Sequence, residues 1–582
     1  MPELKTAFIA NMRALLGEEA GAFFRALEEA PSLALRPHRG MEAASPFIEG
    51  AVPWAEGGFY LRPGARPGAS VAHWAGAFYL QEASAMLPAA ALKARPGERV
   101  LDLCAAPGGK SSQIALAMGG EGALVANEVD AARARVLAAN LERLGVTNAV
   151  VLNETPARLA ARWPGYFDAV LVDAPCSGEG MFRRDPQSRE AWTDAAPRGC
   201  RKRQGEILDA AAKLVRPGGR LLYSTCTFNG EENEGSVADF LRAHADFFPE
   251  EFALPGLGAS QGGMLRIWPH RARGDGQFAA LLRRAGEDGG DGPETWAGAA
   301  DAAGRPHARG DGPERALAGA DAVAGEVSTR GNGADEDAGR AFARGDGEER
   351  TRDGADAAAG EVFMRADGAG EDAGRAFARG DGEERARDGA DAAAGEVFMR
   401  RDGADGSGEL SSAHPAASID RWLDALPKAR PARRAGKAAP MPDVAALLAE
   451  LGKCAVAALP VSPRSARLHL EGRRLIAAPL EAPELDGLRV ISPGLALLRA
   501  ETGRVEPEHA LSMALLPGMA RREAALTEKE ALAFIAGEAL PREGEAGWAL
   551  VTHAGLPLGW GKQAGGMLKN HVPKGLRARL HP

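Results

Sequence analysis

Cysteine is scarce and odd in number. The five residues, Cys104, Cys176, Cys200, Cys226 and Cys454, show no framework spacing. That excludes a disulfide-stapled secreted scaffold and points to free thiols in a reducing compartment. No run of 18 apolar residues occurs, so no transmembrane helix is expected. The stretch from Met1 to Asn11 lacks an apolar centre of signal-peptide length, and a cytoplasmic protein is expected. Lysine is absent from residues 286–418, which hold 15 Arg against 30 Asp and Glu, a local balance of −15. The whole chain carries −9, so the remainder is basic at +6. The acidity belongs to one segment and says nothing against an anionic partner.

At 582 residues the chain exceeds what one hydrophobic core organises, and it predicts two to four domains. Residues 336–370 and 371–405 are near-copies with a 35-residue period, each containing Ala-Gly-Arg-Ala-Phe-Ala-Arg-Gly-Asp-Gly-Glu-Glu-Arg. A decayed third copy lies around Arg309 to Val327. A helical solenoid needs more apolar surface than Phe342, Val362, Phe363 and Met364 offer, and the Gly-Gly-x-Gly-x-Asp spacing of a calcium-binding roll is missing. Residues 286–418 are therefore expected to be an acidic, disordered linker. The linker separates a small N-terminal helical/α+β domain (1–87) and an α/β domain (88–285) from a small α+β domain (419–520) and a β-barrel (521–582).

Within residues 1–30, Leu4, Phe8, Met12, Leu15 and Phe23, Phe24, Leu27 recur at helical spacing and predict an amphipathic helix pair. Residues 88–285 alternate strand signals at 100–104, 123–127, 149–152, 168–173 and 220–225 with helix signals after 109, at 130–144 and at 203–215. That alternation predicts a doubly wound, Rossmann-like parallel sheet, with ligands bound past the carboxyl ends of its strands. Two thiols fall there, in Asp173-Ala174-Pro175-Cys176-Ser177-Gly178 and in Ser224-Thr225-Cys226-Thr227. The fourth and fifth strands of such a sheet are neighbours, so Cys176 and Cys226 are expected within side-chain reach. Cys200 and Cys454 have no such setting and read as structural.

The first strand runs into Cys104-Ala105-Ala106-Pro107-Gly108-Gly109-Lys110-Ser111. Gly-Lys-Ser suggests a phosphate-binding loop, but Cys104 stands where that loop needs glycine, and Pro107 removes an N–H from the cradle. The dinucleotide pattern Gly-x-Gly-x-x-Gly is absent too. What remains is a tight turn that brings backbone close to a small ligand. Glu128, 20 residues after Gly108 at the second strand's end, is placed to accept two ribose hydroxyl protons. A ribose with no phosphate requirement suggests S-adenosylmethionine.

Gln81-Glu82-Ala83-Ser84-Ala85-Met86, Asp102 to Lys110, Asp173 to Gly180 and Tyr223-Ser224-Thr225-Cys226-Thr227, taken in this order, closely resemble the Sun/nucleolar-protein family of RNA cytosine-5 methyltransferases. The resemblance spans residues 1–285. It resumes from Pro493 to Ala514 and from Pro557 to Arg577, which look like the C-terminal modules of the bacterial 16S ribosomal-RNA branch (RsmF-like), a small α+β domain and a PUA-like barrel. It implies that Cys104, Ala105, Ala106, Pro107, Gly108, Gly109, Lys110, Glu128 and Asp173 line the S-adenosylmethionine site, Cys104 through its backbone. Where the family often has Asp at the third strand's end, this chain reads Leu152-Asn153-Glu154-Thr155, and Asn153 is expected to face the adenine.

Carbon 5 of cytosine is a poor nucleophile until a thiolate adds at carbon 6. The resemblance makes Cys226 that thiolate and Cys176 the group that assists its later expulsion. The Pro-Cys arrangement of DNA cytosine-5 methyltransferases would exchange the two. Asp173 is placed to hydrogen-bond the protonated ring nitrogen 3. The implied partner is RNA, 16S rRNA or the small ribosomal subunit, acted on by a monomer with no membrane partner. Transfer RNA as substrate, and a non-catalytic RNA-binding assembly factor, are the alternatives. Lys110, Arg183, Arg184, Arg201, Lys202 and Arg203 are candidates for a phosphate track. In the tail, Trp548, Trp560, Lys562, Lys569, Asn570, His571, Lys574, Arg577 and Arg579 combine aromatic surface with cations, as suits RNA, though tryptophans also stabilise small cores.

Overall fold

The computed structural model describes residues 3–286, 416–426, 443–502, 504–578 and 580. Arg579 and the 35-residue repeats lie outside them. Helices α1 (Thr6–Leu16) and α2 (Ala20–Glu28) form where the apolar spacing placed them and bury Phe8, Met12, Phe23 and Leu27. Phe8 meets Phe182 and Trp192 edge-on, and Phe23 meets Phe228 and Trp268 in the same way. Such contacts add about 0.5–1.5 kcal/mol each beyond area burial. The helix pair is thereby fixed against the two segments that carry the thiols. Next, β1 (Ala34–Pro37), β2 (Ile48–Ala51), β3 (Phe59–Leu61) and β4 (Phe78–Leu80) make a sheet in the order β2-β3-β1-β4.

The central sheet contains β5 (Arg99–Asp102), β6 (Ala123–Asn127), β7 (Ala149–Leu152), β8 (Phe167–Asp173) and β9 (Val215–Thr225). They run parallel in the order β9-β8-β5-β6-β7. The order reverses at β5, the switch point where open α/β sheets bind ligands. Every residue of β6 and β7 is buried, as strands covered on both faces must be. Helices α3 (Gly109–Met118), α4 (Ala131–Leu144) and α5 (Ala196–Leu214) connect them. The helix expected from 203 starts at 196, because Pro197 sits in its first turn, where no N–H is needed. Antiparallel strands Gln277–Arg284 and Phe247–Pro249 extend the sheet beyond β9.

At the opposite margin, Val490–Ser492 pairs antiparallel with β7. A strand from the C-terminal half thus completes the sheet, which crosses the boundaries expected from sequence. Three residues are too few to show a period-two signal. Ala417–Ser418, inside the expected linker, pairs with Ala458–Leu459, so the described fold resumes at 416 rather than after 418. Four antiparallel strands between Arg467 and Pro507 and five strands between Glu523 and Asn570 form the two C-terminal sheets. Leu35 and Phe78 of the N-terminal sheet share a core with Phe534, Val551 and Leu558. Among the described residues no helix is long and apolar enough to cross a membrane.

Candidate active site

Because β8 and β9 are neighbours, the segments that leave their carboxyl ends are bound to each other. Glu179 accepts the N–H groups of Phe228 (2.8 Å) and Asn229 (2.9 Å). In the other direction, Glu232 accepts from Ser177 N (3.0 Å), Asn229 Nδ2 (2.8 Å) and Gln204 Nε2 (2.8 Å). Gly180 N–H donates to the Cys226 carbonyl at 2.7 Å, and a Cβ at Gly180 would stand 2.5 Å from that oxygen, so only glycine fits. These ties bring Cys176 Sγ and Cys226 Sγ to 3.4 Å, both free thiols. A hydrogen bond to Cys226, burial and the charge of Glu232 push the Cys176 thiol well above the usual cysteine range.

Asp173 closes β8 beside them. Its Oδ1 accepts from Ser224 Oγ (2.6 Å) and Gln277 Nε2 (3.2 Å), and its Oδ2 pairs with Lys110 Nζ at 2.7 Å. Burial disfavours the Lys110 ammonium, but Asp173, with Cys226 and Asp102 nearby, outweighs it and raises the lysine pKa. Lys110 is thus an ion-pair partner within the site rather than a free cation for a phosphate track.

The Cys104–Gly109 turn is braced from behind by side chains of other elements. Asn140 Nδ2 donates to Pro107 O (2.9 Å), an Arg133 guanidinium N–H to Ala106 O (3.1 Å), and an Arg36 guanidinium N–H to Gly109 O (3.1 Å). Gly108 has φ +110°, which glycine alone adopts without strain, and it starts α3. Burial and the neighbouring carboxylates of Asp102, Glu128 and Asp173 push the Cys104 thiol up, so it stays neutral. Asp102, fully buried, accepts from Ser111 Oγ at 2.7 Å, while its Oδ1 has no hydrogen-bond partner among the described residues. Burial pushes its pKa up to about 7; Ser111 and Lys110 oppose this, and Asp173 and Glu128 reinforce it. Glu128 is buried at the end of β6 and accepts the Asp130 N–H at 3.0 Å. Val129 next to it is 58% exposed. Asn153 uses its side-chain amide to donate to Glu128 O (2.9 Å) and Val129 O (2.8 Å), so it braces that corner.

The donor set fits S-adenosylmethionine. The unpartnered Asp102 oxygen suits an ammonium, Glu128 suits ribose hydroxyls, and exposed Val129 offers apolar surface to adenine. Sequence reasoning missed Asp102, Val129 and Gln277. The first two stand at strand ends, the signal that singled out Glu128, whereas Gln277 lies in an antiparallel strand with no motif. A cavity of about 800 Å³ opens at the opposite, amino end of the strands, beside Arg99, Tyr166 and Arg464, and touches none of these groups.

The expected phosphate track is only partly exposed. Arg183 is buried and donates to Gly274 O (3.1 Å) and Ala30 O (2.8 Å), and Arg184 bonds Asp275 and the Ser32 carbonyl. Arg201 pairs with Asp239 at 2.7 Å. Lys202 and Arg203 are exposed. In the tail, Trp548 and Trp560 are core residues, the latter donating to Glu508 O at 2.9 Å. Lys562 lies over the Trp548 ring, 5.0 Å from its centroid. Lys569, His571, Lys574 and Arg577 remain exposed.

A parallel sheet with this switch-point turn, and a carboxylate ending its second strand, has the Rossmann-like fold of S-adenosylmethionine-dependent methyltransferases. Residues 89–283 match the family model described as 16S rRNA methyltransferase RsmB/F. Residues 4–83, 454–515 and 521–578 match models of the RsmF N-terminal domain, first C-terminal domain and PUA domain. Residues 89–283 thus form an RsmB/F-type methyltransferase domain, whose cofactor is S-adenosylmethionine, flanked by RsmF-type modules. It is 41% identical over 244 residues to ribosomal RNA small subunit methyltransferase F of Escherichia coli O7:K1, with 40% of this chain and 51% of that protein covered. The namesake of Shigella boydii serotype 18 matches to the same extent. The chain spans about half the length of these curated relatives. A solved methyltransferase homologue from Pyrococcus horikoshii is 30% identical, with TM-score 0.42, over 48% of this chain and 95% of that one.

Proposed function

We propose that the chain transfers a methyl group from S-adenosylmethionine to carbon 5 of a cytosine in 16S ribosomal RNA, through a covalent adduct on Cys226. The observation that carries this reading is the 3.4 Å separation of Cys176 and Cys226 beside the Asp173–Lys110 pair. The names of the matched models and relatives support the choice of RNA.

S-adenosylmethionine supplies an electrophilic methyl group on a sulfonium. The Cys226 thiolate adds to carbon 6 of a cytosine that has left its stack. Carbon 5 becomes enamine-like and forms the new carbon–carbon bond. It then loses its proton to solvent water, the electron pair re-forms the C5–C6 double bond, and the sulfur leaves carbon 6 as a thiolate. The raised pKa of Cys176 keeps a proton on that sulfur, so its S–H can support the Cys226 thiolate before attack and assist its departure afterwards. Asp173, fixed by Lys110, Ser224 and Gln277, accepts a hydrogen bond from the protonated ring nitrogen 3 and so offsets the charge that builds up as the ring is attacked. Exposed Lys569, Lys574 and Arg577 offer cations to the RNA backbone.

Bisulfite mapping of 16S rRNA from a strain lacking the protein tests this. A cytosine protected in the parent and converted in the deletion strain is the expected result. Identical maps would overturn the assignment.

A further inference from the structure

Residues 489–492 reach the cofactor corner through an unbroken set of hydrogen bonds. Arg489 O accepts the backbone N–H of Asn153 at 2.9 Å, and Arg489 N–H donates to Glu154 Oε1 at 2.9 Å. Glu154 is fully buried, and its Oε2 faces the guanidinium groups of Arg158 (3.4 Å) and Arg489 (3.5 Å), whose side chains are largely exposed. The Glu154 N–H and carbonyl are both taken by the Asn127 side chain, at 3.0 Å each, and that amide also reaches Leu103 O at 3.2 Å. Asn153, held in this way, donates to the carbonyls of Glu128 and Val129.

We propose that Arg489–Ser492, contributed by the first C-terminal domain, is a positioning element of the cofactor pocket, holding through Asn153 and Glu154 the Glu128–Val129 rim for ribose and adenine. This rests on the reading of Glu128 and Val129 as that rim. Without the strand, the outer edge of β7 loses its pairing partner. Glu154 would also become a buried carboxylate short of donors, a state that drives local rearrangement. The Asn153 side chain can bridge the two carbonyls only while its own backbone is pinned. The cofactor pocket therefore depends on a module some 200 residues beyond the methyltransferase fold in sequence, and docking of that module and cofactor binding are energetically linked.

Calorimetric titration of full-length variants with S-adenosylhomocysteine, without RNA, tests this. Arg489→Pro removes the N–H donor and should weaken binding about tenfold. It should also speed hydrogen exchange at residues 127–131. Arg489→Lys keeps the N–H and should restore affinity to within about twofold of the parent. Should Arg489→Pro fold poorly, the double variant Arg158→Ala/Arg489→Ala alters only exposed side chains and strips Glu154 of its cations; a loss of about threefold is expected. Parent-like affinity in the double variant, or in a folded Arg489→Pro, overturns the proposal. Glu128→Ala is the separate control: it should abolish binding, and normal binding there would overturn the rim itself.

Discussion

The thiols of Cys176 and Cys226 are held 3.4 Å apart, although 50 residues separate them in the chain. Reciprocal carboxylate ties through Glu179 and Glu232 enforce that distance, so removing one sulfur should leave the other in place. Cys226→Ala should abolish both turnover and covalent adduct. Cys176→Ala should stop turnover differently: the adduct forms and is methylated, then fails to eliminate. Protein–RNA crosslinks that survive denaturing gels should accumulate in Cys176→Ala and be missing in Cys226→Ala. The reverse pattern would exchange the two roles, and no crosslink in any variant would sink the covalent mechanism.

Asp173 lies at the centre of a polar set made by Lys110, Ser224 and Gln277. Asp173→Ala should lower methyl transfer by roughly 10²–10³-fold, the range for losing one charge-stabilising contact in a transition state. No adduct should accumulate, because the attack itself loses its support. Crosslinks matching those of Cys176→Ala would place Asp173 in elimination instead.

The cysteines, the glycine turn and the strand-end carboxylate were legible because each lies just past a strand whose apolar run is unmistakable. Neighbouring β8 and β9 then follow from the sheet's winding rule. What stayed hidden is non-local. Glu179 and Glu232 look like ordinary surface acids in sequence, yet both are buried in loop-to-loop bonds. Arg183 and Arg184 resemble a basic patch, but Asp275, 91 residues away, engages Arg184. Asn153 was singled out as an adenine contact, but that its amide braces Glu128 and Val129 could not be read from sequence. The strand at 490–492 is too short for any periodic signal, so its place in the sheet required the structure.

Residues 286–418 carry −15 and few core-forming side chains. Deleting 287–415, with a short flexible tether in place, should leave methyl transfer within a few-fold of the parent. The deletion stops before Ala417, because Ala417 is buried against the strand Ala458–Leu459. Loss of S-adenosylhomocysteine binding in this variant, measured by calorimetry, would make the segment structural after all.

Since Trp548 and Trp560 are core residues, the terminal sheet should grip RNA through exposed cations rather than by stacking. Lys569→Ala/Lys574→Ala should weaken RNA binding and lower the slope of log affinity against log salt by roughly 1 per lost phosphate contact. Trp560→Ala should instead lower the melting temperature. Unchanged salt dependence in the lysine variant would confine the terminal sheet to a packing role.

Glu142 on α4 is buried against the C-terminal half, and its Oε1 has no hydrogen-bond partner among the described residues. Burial, with Glu508 adding and Arg474 opposing, pushes its pKa from 4.5 up to about 8. Between those values the folded state keeps a proton that the unfolded chain has released. The stability contributed by neutral Glu142 is therefore complete below pH 4.5 and lost as pH rises towards 8. Glu142→Gln keeps the size and cannot ionise, so it should match the parent near pH 5 and exceed it above pH 8. The gain should be about 1–3 kcal/mol, the scale for relieving one poorly satisfied buried group. Asp102 and Asp275, raised to about 7 and about 6, titrate in both proteins and cancel in the difference. Melting temperatures of the two proteins from pH 5 to pH 9 give the answer: the gap should open with rising pH, and a constant gap would mean that Glu142 ionises freely in the folded chain.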